Sequence, residues 1–244
     1  MEVAARAARM GDKLLSVFAA LMIFTMLAYG GYSLWDNYMV NRGAFLGKDL
    51  LKYKPIASET GDNLSLEELM LLNEDTRGWI TIDDTHIDYP VVQGEDDMEY
   101  VNKDVLGEFS LSGAIFLSYR NDPDFSDHYS LLYGHHMDNG GMFGDVIEFT
   151  DEGYFTPREN GTLYLPHKTY HIRLFACMEV DAYDKLVYSH GPNCNVQALL
   201  DYLITDATNY RDIGVTADDK IIGLSTCVDA TTNGRVVLFG RLEE

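Results

Sequence analysis

Basic residues are scarce in this chain: 18 Lys and Arg stand against 39 Asp and Glu, for a formal net charge of -21. Neutralising a phosphate backbone takes clustered Lys and Arg, so no nucleic-acid partner is expected. The acidic residues do not fall into EF-hand spacing either, and the charge reads as a solvated, self-repelling surface. Cysteine is scarcer still. Cys177, Cys194 and Cys227 are the only three, an odd number that rules out a disulfide scaffold and leaves at least one thiol unpaired. Internal repeats and low-complexity tracts are absent. His86, His128 and the acidic residues offer no ligand spacing that would complete a zinc site with Cys227, so neither metal nor cofactor is expected.

What the chain does contain is apolar material, 46% of its residues, enough to bury a core. Its Gly 21, Tyr 16 and Phe 11, with Val, Thr and Ile in short runs, lean toward a β-rich domain. From Leu14 to Leu34 no residue is charged, and about 21 residues rising ~1.5 Å each match a hydrocarbon core of ~30 Å. Arg6, Arg9 and Lys13 precede this stretch and only Arg42 closely follows it, which puts the N-terminus on the cytoplasmic side of a bilayer. Ala28-Tyr-Gly30 imitates a cleavage site poorly, so an uncleaved signal anchor is expected. The expected organisation is a cytoplasmic end at 1–13, an anchor at 14–34, a stalk and linker at 35–62, and an outward-facing domain at 63–244.

Within that domain Ser65-Leu-Glu-Glu68 reads as a capping box opening a short helix, with Leu66, Leu69 and Leu72 on one face. Short strand-like runs then follow: Trp79 to Asp83, His86 to Val92, Gly113 to Tyr119, and Tyr129 to Tyr133. Thr162 to Leu165 and Thr169 to Val180 suggest a hairpin across Pro166-His-Lys168. Val196 to Thr205 has helical spacing behind an Asn195 cap, and Lys220 to Thr226 and Gly234 to Leu242 close the chain as strands. Many strands with few helices between them predict a β-barrel or sandwich carrying helical insertions.

Cys227 ends one of those runs beside the polar turn Asp229 to Gly234, held by a sheet yet reachable from solvent. Arg235 opens the next strand. If the two strands pair, its guanidinium is a cross-strand neighbour of the thiol, where it favours thiolate and can receive a developing oxyanion. Arg241 shares that strand face but lies farther from the turn. His135 follows Gly134 at the end of a third strand; His136 beside it points to the opposite face, so the two cannot serve one metal, and either is a candidate base. Cys177, in the apolar run Arg173 to Val180, reads as a small buried hydrophobe.

Leu224-Ser-Thr-Cys227, then Gly234-Arg235, with Tyr133-Gly-His-His136 upstream, resembles the signature of the sortase family. Gly223 departs from it, standing near where sortases usually have Thr. Asp88 to Gln93, Glu99-Tyr100, Gly113 to Phe116 and Met142-Phe143 are similar to class B members in particular, and the likeness runs from Leu66 to Leu242. It implies a mainly β fold, a closed barrel of about eight strands with N-terminal helices and a helix inserted before the cysteine strand. It implies a cysteine transpeptidase: Cys227 as nucleophile, His135 as acid and base, Arg235 on the oxyanion, and no cofactor. Asp97, Tyr100, Val101, Ser225 and Thr226 match groove positions that hold the substrate. The partners implied are secreted proteins with a C-terminal sorting motif and a peptidoglycan amine, or a Lys amine in pilin-polymerising members, at a Gram-positive-type cell envelope. Ser189 to Cys194 is also similar to the Ser-His-Gly-Cys motif of L,D-transpeptidases, but two extra residues interrupt it.

Overall fold

The computed structural model describes the chain except residues 57–61, 193 and 228–232, and the side chains of residues 3, 4, 8, 42 and 227. It divides into two compact units, Met1–Arg42 and Gly43–Glu244. The first is a single helix, α1 (Glu2–Arg42), whose apolar side chains, Leu14, Phe18, Phe24 and Leu34 among them, are exposed. Ala5–Asn41 within it is long and apolar enough to cross a membrane.

The second unit opens with two short helices, α2 (Lys48–Leu51) and α3 (Leu64–Met70), followed by β1 (Thr76–Ile82), β2 (Asp88–Val92), β3 (Ile115–Leu117) and β4 (Tyr129–Tyr133). A short helix α4 (Glu152–Phe155), the hairpin β5 (Asn160–Leu165) and β6 (Lys168–Asp181), helix α5 (Val196–Asp206) and the two-residue strand β7 (Asn209–Tyr210) come next. The chain ends with β8 (Lys220–Cys227) and β9 (Gly234–Glu243). The strands are joined in the order β5-β1-β2-β3-β4-β8-β9-β6-β7, and a further pairing of β5 with β6 closes the ring. The result is an eight-stranded barrel with β7 added outside it on β6. Closure abolishes free edges, and β6 makes it possible by being long, 14 residues, with a register shift between Leu174 and Ala176 where the strand bends.

Apolar side chains are buried on both faces of the barrel wall. β5 alternates between half-buried and buried positions, and Ile80, Val91, Leu131, Ile222, Val237 and Phe239 are wholly buried. Helix α5 covers one side: Leu199 and Leu203 are buried with Phe175, Tyr129 and Phe239, and Asn195 caps the helix by accepting from the Ala198 N–H at 3.2 Å. The inserted helix before the cysteine strand is thus where the sequence pattern predicts it.

Two expectations need correcting. Helix α3 begins at Leu64, so Ser65 lies inside its first turn and makes no capping box; the preceding Asn63 makes no side-chain cap bond and instead donates through Nδ2 to the Leu165 carbonyl at 2.6 Å. That bond ties the helix to the β5–β6 hairpin, a tertiary contact overriding local capping. The helix ends at Met70, leaving Leu72 exposed while Leu66 and Leu69 pack against Trp79 and Phe116. Part of the stretch read as stalk also belongs to the compact domain: Ala44 is buried and its carbonyl accepts from the Tyr89 hydroxyl at 2.8 Å, and Lys54 pairs with Asp88 at 2.6 Å.

Candidate active site

The site lies at one rim of the barrel, where β4 and β8 end side by side. These strands run parallel, with Tyr133 opposite Ser225, and the Gly134 N–H continues the ladder to the Ser225 carbonyl at 3.2 Å. Strands β8 and β9 are antiparallel, and their register makes Cys227 and Arg235 direct partners. Three distant chain segments therefore bring the backbone of residues 135, 227 and 235 to one rim. The side chain of Cys227 and residues 228–232 lie outside the described residues.

A cavity of about 350 Å³ opens there. His135 and Arg235 line it together with Ser225 and Thr226 from β8 and with Asp97 and Val101. Glycines make room for the imidazole. A Cβ on Gly134 would lie 2.5 Å from Ile115 Cδ1, so only a bare backbone passes between Ile115 and Phe143 to deliver His135. Gly113, at φ +62°, would with a Cβ strike the Val101 carbonyl at 2.5 Å and approach His135 Cδ2 to 3.1 Å. The ring is held by Nε2, 2.8 Å from the Val101 carbonyl. A carbonyl only accepts, so Nε2 carries the proton in this arrangement and Nδ1 is the nitrogen left to exchange one.

The two histidine candidates separate. His136 lines a different cavity of about 600 Å³, with His86, Asp145 and Arg158, and its Nε2 faces Asp138 at 3.3 Å. The arginines separate likewise: Arg235 lines the first cavity, whereas Arg241 is engaged by Glu243 and the Ile213 carbonyl. Of the proposed groove residues, Tyr100 does not line this cavity. It is 3% exposed and its hydroxyl donates to Asp75 Oδ2 at 2.8 Å and accepts from Asn73 Nδ2 at 2.8 Å, a structural role; burial pushes its phenol up to about 12. Sequence reasoning missed Ala182 and Tyr188, both from the connection between β6 and α5, which complete the groove. No local pattern marks them. The Tyr188 hydroxyl lies 3.1 Å from Ser225 Oγ, so this connection is joined to the cysteine strand.

The other thiols sit in unreactive surroundings. Cys177 is fully buried and desolvation raises its thiol well above the usual range; half-buried Cys194 is pushed up to about 11 by burial. Among the described residues no cluster of His, Cys, Asp and Glu could hold a metal ion.

A closed barrel carrying an imidazole, a guanidinium and a cysteine strand end around one rim groove defines a class of protein, the barrel-scaffolded cysteine acyltransferases. The profile described as Sortase domain matches residues 80–243, most of the barrel. Sortase B of Listeria monocytogenes is 31% identical over 180 residues, covering 72% of this chain and 73% of that protein. Among solved structures, Spy0129 of Streptococcus pyogenes, a class B sortase involved in pilus biogenesis, superposes with a TM-score of 0.68 at 39% identity, covering 72% of this chain and 97% of that one. The Staphylococcus aureus sortase B–substrate complex superposes with a TM-score of 0.69 at 28% identity, covering 74% and 85%. The chain belongs to the sortase family, its relatives are class B members, and it is a cysteine transpeptidase.

The departure at Gly223 from the family pattern has a packing explanation. A Cβ on Gly223 would sit 2.8 Å from the Tyr129 hydroxyl and 2.9 Å from Leu131 Cδ1. Tyr129, wholly buried, fills the space a side chain at 223 would take.

Proposed function

We propose that this chain cleaves a C-terminal sorting motif of secreted proteins and joins the new acyl end to an amine, with Cys227 as nucleophile. Nδ1 of His135 takes the Cys227 thiol proton; the thiolate attacks the scissile carbonyl carbon; the oxyanion is received by Arg235; the tetrahedral species collapses to a thioester as His135 gives that proton to the leaving amine. An incoming amine then attacks the thioester, gives its proton to His135, and expels the thiolate as the amide forms. The observation that carries this reading is the convergence of His135, Arg235 and the Ser225–Thr226 strand end on one cavity, with Arg235 the register partner of Cys227. The Val101 carbonyl supports the role given to His135, because it occupies Nε2 and leaves Nδ1 for proton transfer. Helix α1 serves as the membrane anchor in this reading, with the barrel on the outer side.

For the acceptor the first reading is a cell-wall amine from the peptidoglycan cross-bridge or stem peptide. A second has an observation of its own: the pilus-associated Spy0129 is 39% identical to this chain, against 28% for the Staphylococcus aureus enzyme, which favours a Lys amine of a pilin subunit. Incubation with randomised pentapeptides followed by mass spectrometry of the intact protein tests the scheme. A peptide-derived thioester on Cys227, absent from Cys227→Ala and discharged by an added amine, is expected; an adduct on Cys194, or activity surviving in Cys227→Ala, refutes it. Competition between a wall-type peptide amine and a Lys-containing pilin-type peptide decides the acceptor.

A further inference from the structure

The two walls of the groove come from separate parts of the chain and are tied together behind it. One wall carries Asp97 and Val101; the other, the connection between β6 and α5, carries Ala182 and Tyr188. His190 lies on that same connection, is 8% exposed, and places Nε2 2.7 Å from the hydroxyl of Ser118, which is fully buried. Ser118 Oγ in turn lies 3.2 Å from Asp97 Oδ2, while the Tyr119 N–H donates to Asp97 Oδ1 at 3.0 Å.

The direction of these bonds follows from counting protons. A carboxylate only accepts, so the single hydroxyl proton of Ser118 goes to Asp97. With that proton on Asp97, the Ser118 oxygen accepts from the Arg120 N–H at 3.4 Å and from His190, an arrangement that takes the imidazole in its Nε2–H form. Burial lowers the basicity of His190 and favours the neutral ring that this arrangement uses. The ring is also held edge-on by Tyr129, at 6.3 Å, and by Tyr133, at 6.4 Å, and Tyr133 is itself a groove-lining residue.

We propose that His190 is a positioning residue for substrate binding: the chain His190–Ser118–Asp97 straps the two groove walls together from behind and fixes the Asp97 carboxylate where the sorting peptide binds. His190 itself touches no substrate. The proposal rests on the reading of this cavity as the sorting-peptide groove. Its energetic basis is that the His190–Ser118 link is buried and the Ser118–Asp97 link part-buried, so deleting the Nε2–H donor leaves the Ser118 oxygen only the long 3.4 Å contact from the Arg120 N–H, and the Asp97 carboxylate is held less firmly.

The test uses the full chain in detergent and a peptide substrate identified by thioester trapping. His190→Leu removes the donor and is expected to raise KM about tenfold, the factor carried by one buried hydrogen bond, with kcat changed less than about twofold. His190→Gln, whose amide N–H reaches toward the place of Nε2, is expected to restore most of that loss, which a mere packing role would not produce. Ser118→Ala should raise KM similarly, and combining His190→Leu with Ser118→Ala should be no worse than either change alone, because all three variants break one chain. An unchanged KM in His190→Leu, no rescue by Gln, or additive losses overturns the proposal. Should His190→Leu fail to fold, nitrogen-15 imidazole spectra of the wild-type chain decide: the Nε2–H form is expected, and an Nδ1–H form refutes the strap. A wild-type chain that forms no thioester with any peptide brings down the groove reading, and this proposal with it. An active wild type with the wrong tautomer or an indifferent His190→Leu brings down the proposal alone.

Discussion

Tyr129 shows how a single residue can carry both a packing solution and a cost. Its ring occupies the space opposite Gly223, but its hydroxyl is fully buried and has no hydrogen-bond partner among the described residues. Leaving such a group unsatisfied costs about 1–3 kcal/mol. Tyr129→Phe is therefore expected to leave stability unchanged or raise it, measured by urea denaturation, whereas Gly223→Thr, which drives atoms into the Tyr129 hydroxyl and Leu131, should lower it. A loss of more than about 1 kcal/mol in Tyr129→Phe contradicts the assignment of that hydroxyl as unpaired. The thiols give a second expectation at this scale. With Cys194 near 11 its thiolate fraction at pH 8 is on the order of one in a thousand, and it rises about tenfold per pH unit up to that value. Alkylation of Cys194 in native Cys227→Ala protein should be slow at pH 7 and climb steadily with pH, and Cys177 should react only after unfolding. Rapid labelling of either at neutral pH would show that burial does not govern them.

At the scale of elements, helix α5 contributes by packing alone. Leu199 and Leu203 sit one turn apart, both wholly buried against β6 and β9 side chains, and none of the helix's residues lines the groove. Leu199→Ala is expected to cost about 2–5 kcal/mol in chemical denaturation, the range for an aliphatic side chain deleted from a close-packed core. Catalytic parameters of the folded fraction should stay near those of the wild type. A large fall in kcat at full folding would mean that α5 transmits to the site. The connection between β6 and α5 does both: Val187 joins the core under α5, while Ala182 and Tyr188 line the groove. Loops carried by a rigid scaffold are where sites are built, and here one loop does so from outside the barrel strands.

The whole molecule divides into a long apolar helix and a compact domain that holds the candidate site. Gly43–Glu244 is a compact unit with a closed barrel, and α1 is a unit of its own. A fragment beginning at residue 43 is expected to fold cooperatively in water and to turn over soluble peptide with the same kcat/KM as the full chain in detergent. One beginning at 63 should be less stable, because it loses the Ala44–Tyr89 and Lys54–Asp88 contacts. Equal melting temperatures for the two fragments would show that residues 43–62 add nothing.

The sequence by itself determined what depends on local pattern. The uncharged Leu14 to Leu34 stretch, the strand at Tyr129–Tyr133, the Asn195-capped helix and the strand ending at Cys227 were all legible, because side-chain periodicity and caps act over a few neighbours. Candidate chemistry was legible too, since a Cys before a turn and an Arg after it become partners once two adjacent strands pair. Only the tertiary structure decided which histidine and which arginine share a cavity, because that depends on the parallel register of β4 with β8, strands far apart in the chain. It also decided that Tyr100 turns away to Asp75 and Asn73, that Asn63 gives up capping for the β5–β6 hairpin, and that Tyr188 reaches Ser225. Each of these is a hydrogen bond between residues distant in sequence. Such bonds form only after barrel closure has brought their partners within about 3 Å, and no local spacing encodes them.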